Sequence, residues 1–309
     1  MDAQRAGAWS ELEEALGGRI VRGELMSRHT TFRIGGPADW SIVANSADDL
    51  RDIVLLARKL TVPYFILGAG SNILVSDAGI RGLVILNRAR QISFQASNVK
   101  CESGAILPTL ARECVERGLA GLEWAIGVPG TVGGAVIGNA GAHGGEIAQS
   151  LVSTSILDSD GHVRDWPAQE LEFGYRTSRL KSLISNLKSQ KPVVIAAEFE
   201  LRPGTREELE VKAVEYIERR KRKQPPGAST GSMFKNPPGG YAGRLIEAAG
   251  LKGARVGNAE ISQLHANFFI NLGEASAVDM YSLICLARER VAAQFGVTLE
   301  LEIGLVGEW

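Results

Sequence analysis

Residues 127–145 read GVPGTVGGAVIGNAGAHGG, with eight glycines in nineteen residues and no lysine, arginine or aspartate. We call this stretch the second glycine segment. Glycine loses more backbone freedom on folding than any other residue, so such a density is costly to order. It is tolerated where the backbone approaches a ligand closely and turns bare N–H groups toward it, most often at a nucleotide phosphate. The alternative interpretation is a tight turn system that binds no ligand.

A shorter glycine cluster precedes it, because residues 66–75 read ILGAGSNILV. We call residues 68–72 the first glycine loop. A Rossmann fingerprint needs a third glycine that opens a helix, whereas residues 73–75 and 83–86 are short, branched, apolar runs that predict strands. Strand, loop and strand predict a nucleotide site outside a Rossmann fold. Two such loops could hold one pyrophosphate from two sides, which suits a dinucleotide such as FAD.

Length and composition limit the remaining possibilities. A chain of 309 residues predicts two or three domains. Contents of 45% hydrophobic and 22% charged residues are typical of a globular enzyme. The net charge of −1 provides no basic field for nucleic acid or anionic lipid. We therefore expect small-molecule partners, with no nucleic acid and no membrane.

Cysteine and histidine usage argues against metal sites and disulfides. The three cysteines are far apart with no CxxC pair, which excludes a disulfide scaffold and a structural zinc site and indicates a reducing compartment. The four histidines show no ligand spacing, so no metal is expected. The acidic N-terminus is unlike a signal peptide, and no apolar run is long enough to span a bilayer. We therefore expect a cytoplasmic protein.

Periodicity and turn residues predict an α+β fold. Helices are predicted at residues 47–60 (with Ser46 as N-cap), 106–117, 206–223, 241–249 and 276–294. Strands are predicted at residues 62–67, 82–86, 91–95, 98–103, 153–157, 162–166, 192–201, 267–272 and 299–306. The DSDG turn at residues 158–161 predicts a hairpin.

Residues 231–237 read GSMFKNP, a loop that carries a hydroxyl, a cation and an amide before a proline. Together with the glycine loops, it resembles the UDP-N-acetylenolpyruvoylglucosamine reductase (MurB) family, flavoenzymes of peptidoglycan precursor synthesis. Residues 29–38 (HTTFRIGGPA), 174–178 (GYRTS), 242–250 and 265–271 (HANFFIN) also resemble family motifs. These motifs occur in the family's order and cover nearly the whole chain.

The resemblance implies a domain organisation. It implies an FAD-binding domain of the vanillyl-alcohol-oxidase (PCMH) type over residues 1–205, with two α+β lobes at about 20–87 and 88–205. A smaller α/β substrate-binding domain is expected over residues 206–296, and residues 297–309 are expected as a C-terminal strand returning toward the active site. The chain resembles the shorter of two family types, because little room separates Arg176 from Ser232 for the inserted loop with a substrate-covering tyrosine.

The resemblance also implies noncovalent FAD, with NADPH as the hydride donor. The expected cofactor-binding residues are Gly68, Ala69, Gly70, Ser71, Asn72, Gly127, Pro129, Gly130, Thr131, Gly133, Gly134, Asn139, Ala140 and Gly141. The family's reaction reduces an enol ether to a lactyl ether, with hydride added at C3 of the enolpyruvyl group and a proton at C2. The cofactor supplies the hydride chemistry, and the protein supplies position, charge and the proton.

Three residues carry the implied catalytic roles. Arg176 faces the substrate carboxylate and stabilises its developing charge. Ser232 protonates C2, and Glu302 assists at the enol. Glu300 remains an alternative to Glu302, because both would point to one face of a strand and because Leu301 stands where the family usually has proline.

Substrate contacts are implied for Tyr175, Lys223, Asn236 and His265. Residues 219–223 read RRKRK at the end of a predicted helix. One interpretation of this run is a solvated helix end that favours the macrodipole. The other is implied by the resemblance, which puts Lys223 and Asn236 near the UDP diphosphate. Nucleic-acid binding would need a wider basic field with interleaved aromatic residues.

Two other functions remain open from the sequence. One is an FAD oxidase of the same fold class that uses oxygen instead of NADPH. The other is a nucleotide-sugar binding protein without turnover. We expect the chain to be a monomer.

Overall fold

The computed structural model describes residues 3–186 and 190–309. The α-helices are α1 (Ala3–Leu16), α2 (Ala47–Lys59), α3 (Leu107–Glu116), α4 (Val132–Gly138), α5 (Arg179–Asn186), α6 (Arg206–Lys223), α7 (Ala242–Ala248) and α8 (Ala277–Phe295). The first strands are β1 (Val21–Arg22), β2 (Ala38–Ala44), β3 (Tyr64–Leu67), β4 (Ile73–Val75), β5 (Ile80–Asn87), β6 (Ile92–Gln95), β7 (Asn98–Glu102), β8 (Leu119–Ala120) and β9 (Gly141–Ala142). The later strands are β10 (Gly145–Glu146), β11 (Leu151–Leu157), β12 (Val163–Pro167), β13 (Val193–Glu200), β14 (Arg202–Pro203), β15 (Arg255–Val256), β16 (Ala259–Ile261), β17 (Phe269–Asn271) and β18 (Gly304–Val306).

The chain divides into two compact units that are not continuous in sequence. The first unit comprises Met1–Val21, Trp40–Gly68 and Gly82–Glu218, and the second comprises Arg22–Asp39, Ala69–Arg81 and Arg219–Trp309. The units differ from the expected linear domains because two early segments pack with the C-terminal part of the chain. The functional division at residues 205 and 296 stays a prediction.

One sheet, most of whose residues belong to the first unit, has the strand order β1-β2-β5-β3, with β3 and β5 parallel. Helix α2 buries Leu50, Ile53 and Val54 in the same hydrophobic core as this sheet. Its N-cap is Ser46, whose side chain accepts a hydrogen bond from the Asp49 N–H at 3.1 Å. The predicted helix at residues 47–60 and its cap are confirmed.

The other main sheet of the first unit is antiparallel, in the order β12-β11-β13-β7-β6. Strand β13 is central and buried along most of its length, as its branched residues predicted. Strands β11 and β12 form the predicted hairpin, in which Leu157 pairs with Val163. Helices α3 and α4 contribute apolar residues to the core of this lobe.

In the second unit, the antiparallel sheet β15-β16-β17 packs with α7 and α8 around one core. Helix α8 begins with a capping box between Ser276 and Asp279 and ends at Gly296, whose φ of 68° suits glycine. Strand β18 pairs in parallel with β4. The closing strand predicted over residues 299–306 is regular only in β18, so that prediction was partly wrong.

Three helices were not predicted, namely α1, α4 and α5. Helix α1 has no clear apolar periodicity in its sequence, and α4 lies inside the second glycine segment. Helix α4 forms despite three glycines because Val132 and Val136 are completely buried, and tertiary packing overrides the low helix propensity of glycine.

Within the described residues, no helix has the length and hydropathy needed to cross a membrane. Cys101, Cys114 and Cys285 are all free thiols. In residues 3–186 and 190–309, no group of three or more His, Cys, Asp or Glu side chains is arranged to hold a metal ion.

Candidate active site

The two glycine-rich stretches come into contact within the first unit. A Cβ placed on Gly68 would lie 2.4 Å from the Thr131 Oγ1 atom, a separation that real Cβ atoms do not show. The Gly68 carbonyl accepts a hydrogen bond of 2.9 Å from Nη1 of Arg88. Only glycine therefore allows the start of the first glycine loop to lie this close to the second glycine segment.

The second glycine segment uses some of its N–H groups internally. The N–H of Gly133 donates to the Ser103 carbonyl at 2.8 Å and the N–H of Val132 donates to the Ala105 carbonyl at 2.9 Å. The N–H of Gly134, in the first turn of α4, has no acceptor within the described parts of the chain. A phosphate can be held by such an N–H. Of these neighbouring glycines, Gly134 therefore fits the FAD diphosphate better than Gly133.

Asn139 ends α4 in a left-handed conformation, with φ of 42°. Its side chain is used inside the protein: Nδ2 donates to the Gly174 carbonyl at 3.1 Å, and Oδ1 accepts from the Ala148 N–H at 3.1 Å. The contact with Gly174 ties the second glycine segment to the turn that carries Arg176. Asn139 thus has a structural role in addition to the cofactor contact that remains predicted for it.

Arg176 lies in a tight turn closed by two backbone hydrogen bonds between Gly174 and Thr177, of 3.1 and 3.2 Å. Its φ of 56° is uncommon for a residue other than glycine. The Ser178 hydroxyl donates to the Ile137 carbonyl of α4 at 2.7 Å, so both ends of the turn are fixed to the second glycine segment. Tyr175 is exposed, and its ring lies 5.9 Å from Cζ of Arg176.

The rest of the first glycine loop, residues 69–72, belongs to the second unit. A Cβ on Gly70 would lie 2.2 Å from the His29 carbonyl oxygen, and Gly70 has a φ of 58°. The Gly70 carbonyl accepts from the Thr31 N–H at 3.1 Å. Residues 29–31 of the motif at residues 29–38 therefore pack directly against the first glycine loop.

Ser232 lies on an extended segment that is bonded on both sides. On one side the Met233 N–H donates to the Asn267 carbonyl at 2.8 Å. On the other side the Met233 carbonyl accepts from the Glu302 N–H at 2.9 Å. The predicted proton donor and the predicted catalytic carboxylate thus lie on neighbouring, hydrogen-bonded backbone segments.

Glu300 and Glu302 have different surroundings. Lys235 Nζ lies 3.3 Å from the Glu300 carboxylate, which is 73% exposed. Glu302 is half-buried, and its carbonyl accepts from Asn72 Nδ2 at 3.2 Å, which connects it to the first glycine loop. Residues 299–303 do not form a regular strand, so the expectation that both carboxylates share one strand face does not apply. The burial of Glu302 favours it over Glu300.

A pocket of about 640 Å³ opens in the second unit beside Ser232. Lys223, Asn236 and His265 line it, so three of the four predicted substrate contacts share one cavity with the predicted proton donor. Its other lining residues are Arg219, Arg222, Tyr241, Gly243, Arg244, Glu247, Leu264, Ala266 and Asn267. Tyr175, the fourth predicted contact, lies in the first unit.

The pocket has the charge pattern of an anion site. Four cationic side chains line it, and its one carboxylate, on Glu247, is paired with Lys252 at 2.6 Å. Arg244 lies over the Tyr241 ring at 5.0 Å from the centroid. The cationic lining suits a ligand that carries phosphate charge.

Sequence reasoning did not assign Arg219, Arg222, Tyr241 or Arg244 to this pocket. For the two helical arginines the signal was present, because Arg219, Arg222 and Lys223 are spaced i, i+3, i+4 and lie on one helix face. Tyr241 and Arg244 gave no local signal, since only the packing of α7 brings them to the pocket.

The comparisons with known proteins agree with this geometry. Residues 38–166 match the family model described as an FAD binding domain, and residues 222–306 match that of the UDP-N-acetylenolpyruvoylglucosamine reductase C-terminal domain. UDP-N-acetylenolpyruvoylglucosamine reductase 2 of Symbiobacterium thermophilum is 43% identical over 94% of this chain and 93% of its own length. The reductase of Rubrobacter xylanophilus is 45% identical over 92% of this chain and 94% of its own length.

A solved structure is similar over nearly the full length. The crystal structure of the MurB enzyme from Thermus caldophilus superposes with a TM-score of 0.79 at 36% identity, covering 93% of this chain and 99% of that one. The fold and the two glycine loops therefore define a flavoprotein with an FAD-binding domain of the predicted class. The chain belongs to the UDP-N-acetylenolpyruvoylglucosamine reductase family, as its motifs predicted.

The contact at Gly68 makes a testable prediction about FAD binding. In Gly68→Ala the added Cβ displaces Thr131, at a cost of about 1–3 kcal/mol for overpacking. We expect FAD affinity to fall roughly tenfold or more, at about 1.4 kcal/mol per factor of ten. Flavin fluorescence titration of the apoprotein measures this. Gly18→Ala is the control, because nothing lies within 4 Å of its Cβ position; equal affinities for both variants would contradict the prediction.

His265 makes a prediction about pH. Burial lowers the pKa of this imidazole from its usual 6.5. Its Nδ1 atom accepts a hydrogen bond from the Asn267 N–H at 3.2 Å, which is possible only while Nδ1 carries no proton. Because the unfolded chain protonates first, stability is lost as the pH falls below 6.5 toward the folded-state pKa. We expect the wild-type Tm to fall more steeply on acidification than that of His265→Gln. Parallel Tm curves would exclude this.

Proposed function

We propose that this chain reduces the enolpyruvyl group of UDP-N-acetylenolpyruvoylglucosamine to give UDP-N-acetylmuramate, with NADPH as the reductant. The observation that best supports the proposal is the pocket of the second unit, which is lined by Ser232 and by four cationic side chains. We call these four side chains the cationic wall; they are Arg219, Arg222, Lys223 and Arg244. The segment that carries Ser232 is also bonded to that of Glu302. The reductases of Symbiobacterium thermophilum and Rubrobacter xylanophilus carry the corresponding name over nearly all of this chain.

FAD, when bound, would supply the hydride chemistry that links NADPH to C3 of the enolpyruvyl group. The protein must then stabilise negative charge that spreads from C2 to the carboxylate. We assign this role to Arg176, whose turn is fixed at both ends to the second glycine segment. A guanidinium held in place before the reaction needs little reorganisation as the charge develops.

Ser232 is assigned as the donor of the proton to C2. A serine hydroxyl is a weak acid, but an enolate-like carbon is a strong base, so the position of the donor matters more than its pKa. Glu302 is assigned to assist at the enol. The hydrogen bond between its N–H and the Met233 carbonyl supports this pairing of roles.

The cationic wall is assigned to the UDP diphosphate. Lys223 and Asn236 were expected there, and Arg219, Arg222 and Arg244 line the same cavity. The Oδ1 atom of Asn236 accepts from the Ala242 N–H at 3.1 Å, so its NH₂ group can donate to a phosphate oxygen. His265 and Tyr175 remain proposed substrate contacts. We further propose that the protein acts as a monomer in the cytoplasm.

Product analysis tests this function. Purified holoenzyme is incubated with NADPH and UDP-N-acetylenolpyruvoylglucosamine, and the mass of the sugar nucleotide is measured by mass spectrometry. We expect a product heavier by two hydrogen atoms, in an amount equal to the NADPH consumed. NADPH consumption without any change in the sugar nucleotide would overturn the proposal.

A further inference from the structure

Asn267 holds the segment that carries Ser232 through its side chain. Its Oδ1 accepts from the Phe234 N–H at 2.9 Å, and its Nδ2 donates to the Phe234 carbonyl at 2.8 Å. A single carboxamide thus satisfies both backbone groups of one residue, as a partner strand would. Asn267 is 3% exposed, so these bonds are largely screened from water.

The rest of the segment is equally fixed. Met233 and Phe234 are completely buried, and the Phe234 ring contacts Phe269 edge to face, with centroids 6.0 Å apart. The opposite edge is bonded to Glu302. Hydrogen bonds to Asn267 and Glu302 hold the backbone of this segment. These bonds therefore help to set where the Ser232 hydroxyl lies.

We propose that Asn267 is a positioning residue for proton transfer: its carboxamide sets where the Ser232 hydroxyl stands in the pocket. The proposal rests on the proposed function, in which Ser232 protonates C2. A proton donor must lie within hydrogen-bond reach of the atom it protonates, and a misplacement of about 1 Å can cost on the order of 10²-fold in rate.

Asn271 provides a matched control within the same unit. It is also a buried asparagine, 8% exposed, at the end of β17. Its Nδ2 donates to the Phe32 carbonyl at 2.9 Å, and its Oδ1 accepts from the N–H groups of Gly273 and Ala275. Removing this side chain therefore removes a comparable set of hydrogen bonds without touching the Phe234 backbone.

The experiment measures the two half-reactions of the holoenzyme separately. Asn267→Ala and Asn271→Ala should both lower Tm, and the rate of flavin reduction by NADPH is measured in each variant as the reference for its reoxidation rate. Reoxidation by the sugar nucleotide should be slowed on the order of 10²-fold in Asn267→Ala alone, with a larger solvent deuterium isotope effect. Equal reoxidation rates in the two variants would overturn the inference.

Asn267→Asp keeps the shape of the side chain, and it replaces Asn267→Ala in the reoxidation experiment if the alanine variant does not fold. Its ionised form lacks the donor to the Phe234 carbonyl, whereas its protonated form can both donate and accept. We expect its reoxidation rate, relative to wild type, to rise as the pH falls. A ratio independent of pH contradicts the inference.

Ser232→Ala, measured in parallel, distinguishes the role of Ser232 as proton donor from the role of Asn267 in positioning it. Wild-type reoxidation in Ser232→Ala would mean that the proposed proton donor is wrong. Slow reoxidation in Ser232→Ala, with Asn267→Ala no slower than Asn271→Ala, would remove only the role of Asn267.

Discussion

Ser232→Ala should slow flavin reoxidation by UDP-N-acetylenolpyruvoylglucosamine by roughly 10²–10⁴-fold, the usual worth of a positioned proton donor. Reduction of the flavin by NADPH should keep its wild-type rate, because the hydroxyl takes part only in protonation at C2. The backbone of the segment is bonded on both sides, so the substitution removes the proton without moving the pocket wall.

Anaerobic stopped-flow absorbance of the flavin band measures both rates. Ser229→Ala is a suitable control, since it removes a hydroxyl three residues earlier on the same stretch and Ser229 does not line the pocket. A defect shared by both half-reactions, or found equally in Ser229→Ala, would show that Ser232 is not the proton donor.

Arg176→Met should lower the rate of reoxidation by the substrate by roughly 10²–10³-fold, as observed when one preorganised donor to a developing anion is removed. Arg176→Lys should recover little of this, because a lysine offers a point charge rather than a planar pair of donors. The turn itself should persist, since the bonds that fix it come from the backbone and from Asn139 and Ser178.

Single-turnover kinetics with saturating substrate measures the Arg176 effect apart from substrate affinity. Arg179→Met is the matched control, because Arg179 is exposed three residues further on and lies 5.0 Å from the Trp166 ring. Wild-type single-turnover rates in Arg176→Met would contradict the assigned role.

The helices and strands were predicted well where residue patterns in the sequence mark the ends of the element. The helix predicted at residues 206–223 has those bounds in the structure as α6, because its charge pattern and the following Pro225-Pro226 define both ends. The hairpin at β11 and β12 was predicted from the residues of its turn. Helix α4 was missed because its glycine content argues against a helix, whereas burial of Val132 and Val136 stabilises it.

The sequence predicted which residues form the site, but not the hydrogen bonds that hold these residues in place. The motifs indicated Ser232, Lys223, Asn236 and His265, and the structure brings these four to one pocket. Nothing local to Asn267 indicates that its side chain reaches back to Phe234.

The second unit also depends on distant pairings. Segments 22–39 and 69–81 join the C-terminal part of the chain through contacts such as the hydrogen bond between Asn72 and Glu302. Hydrophobic periodicity reports the buried face of an element and not its partner, so neither the unit bounds nor these supports follow from sequence alone.

The most direct test of the proposed function is double-mixing stopped-flow absorbance on protein purified without added cofactor. NADPH is mixed first without oxygen, and UDP-N-acetylenolpyruvoylglucosamine is mixed second. We expect bleaching of the flavin band by NADPH and rapid recovery that requires the sugar nucleotide. Recovery only after oxygen is admitted would indicate an oxidase, and a colourless protein that FAD cannot reconstitute would contradict the cofactor assignment itself.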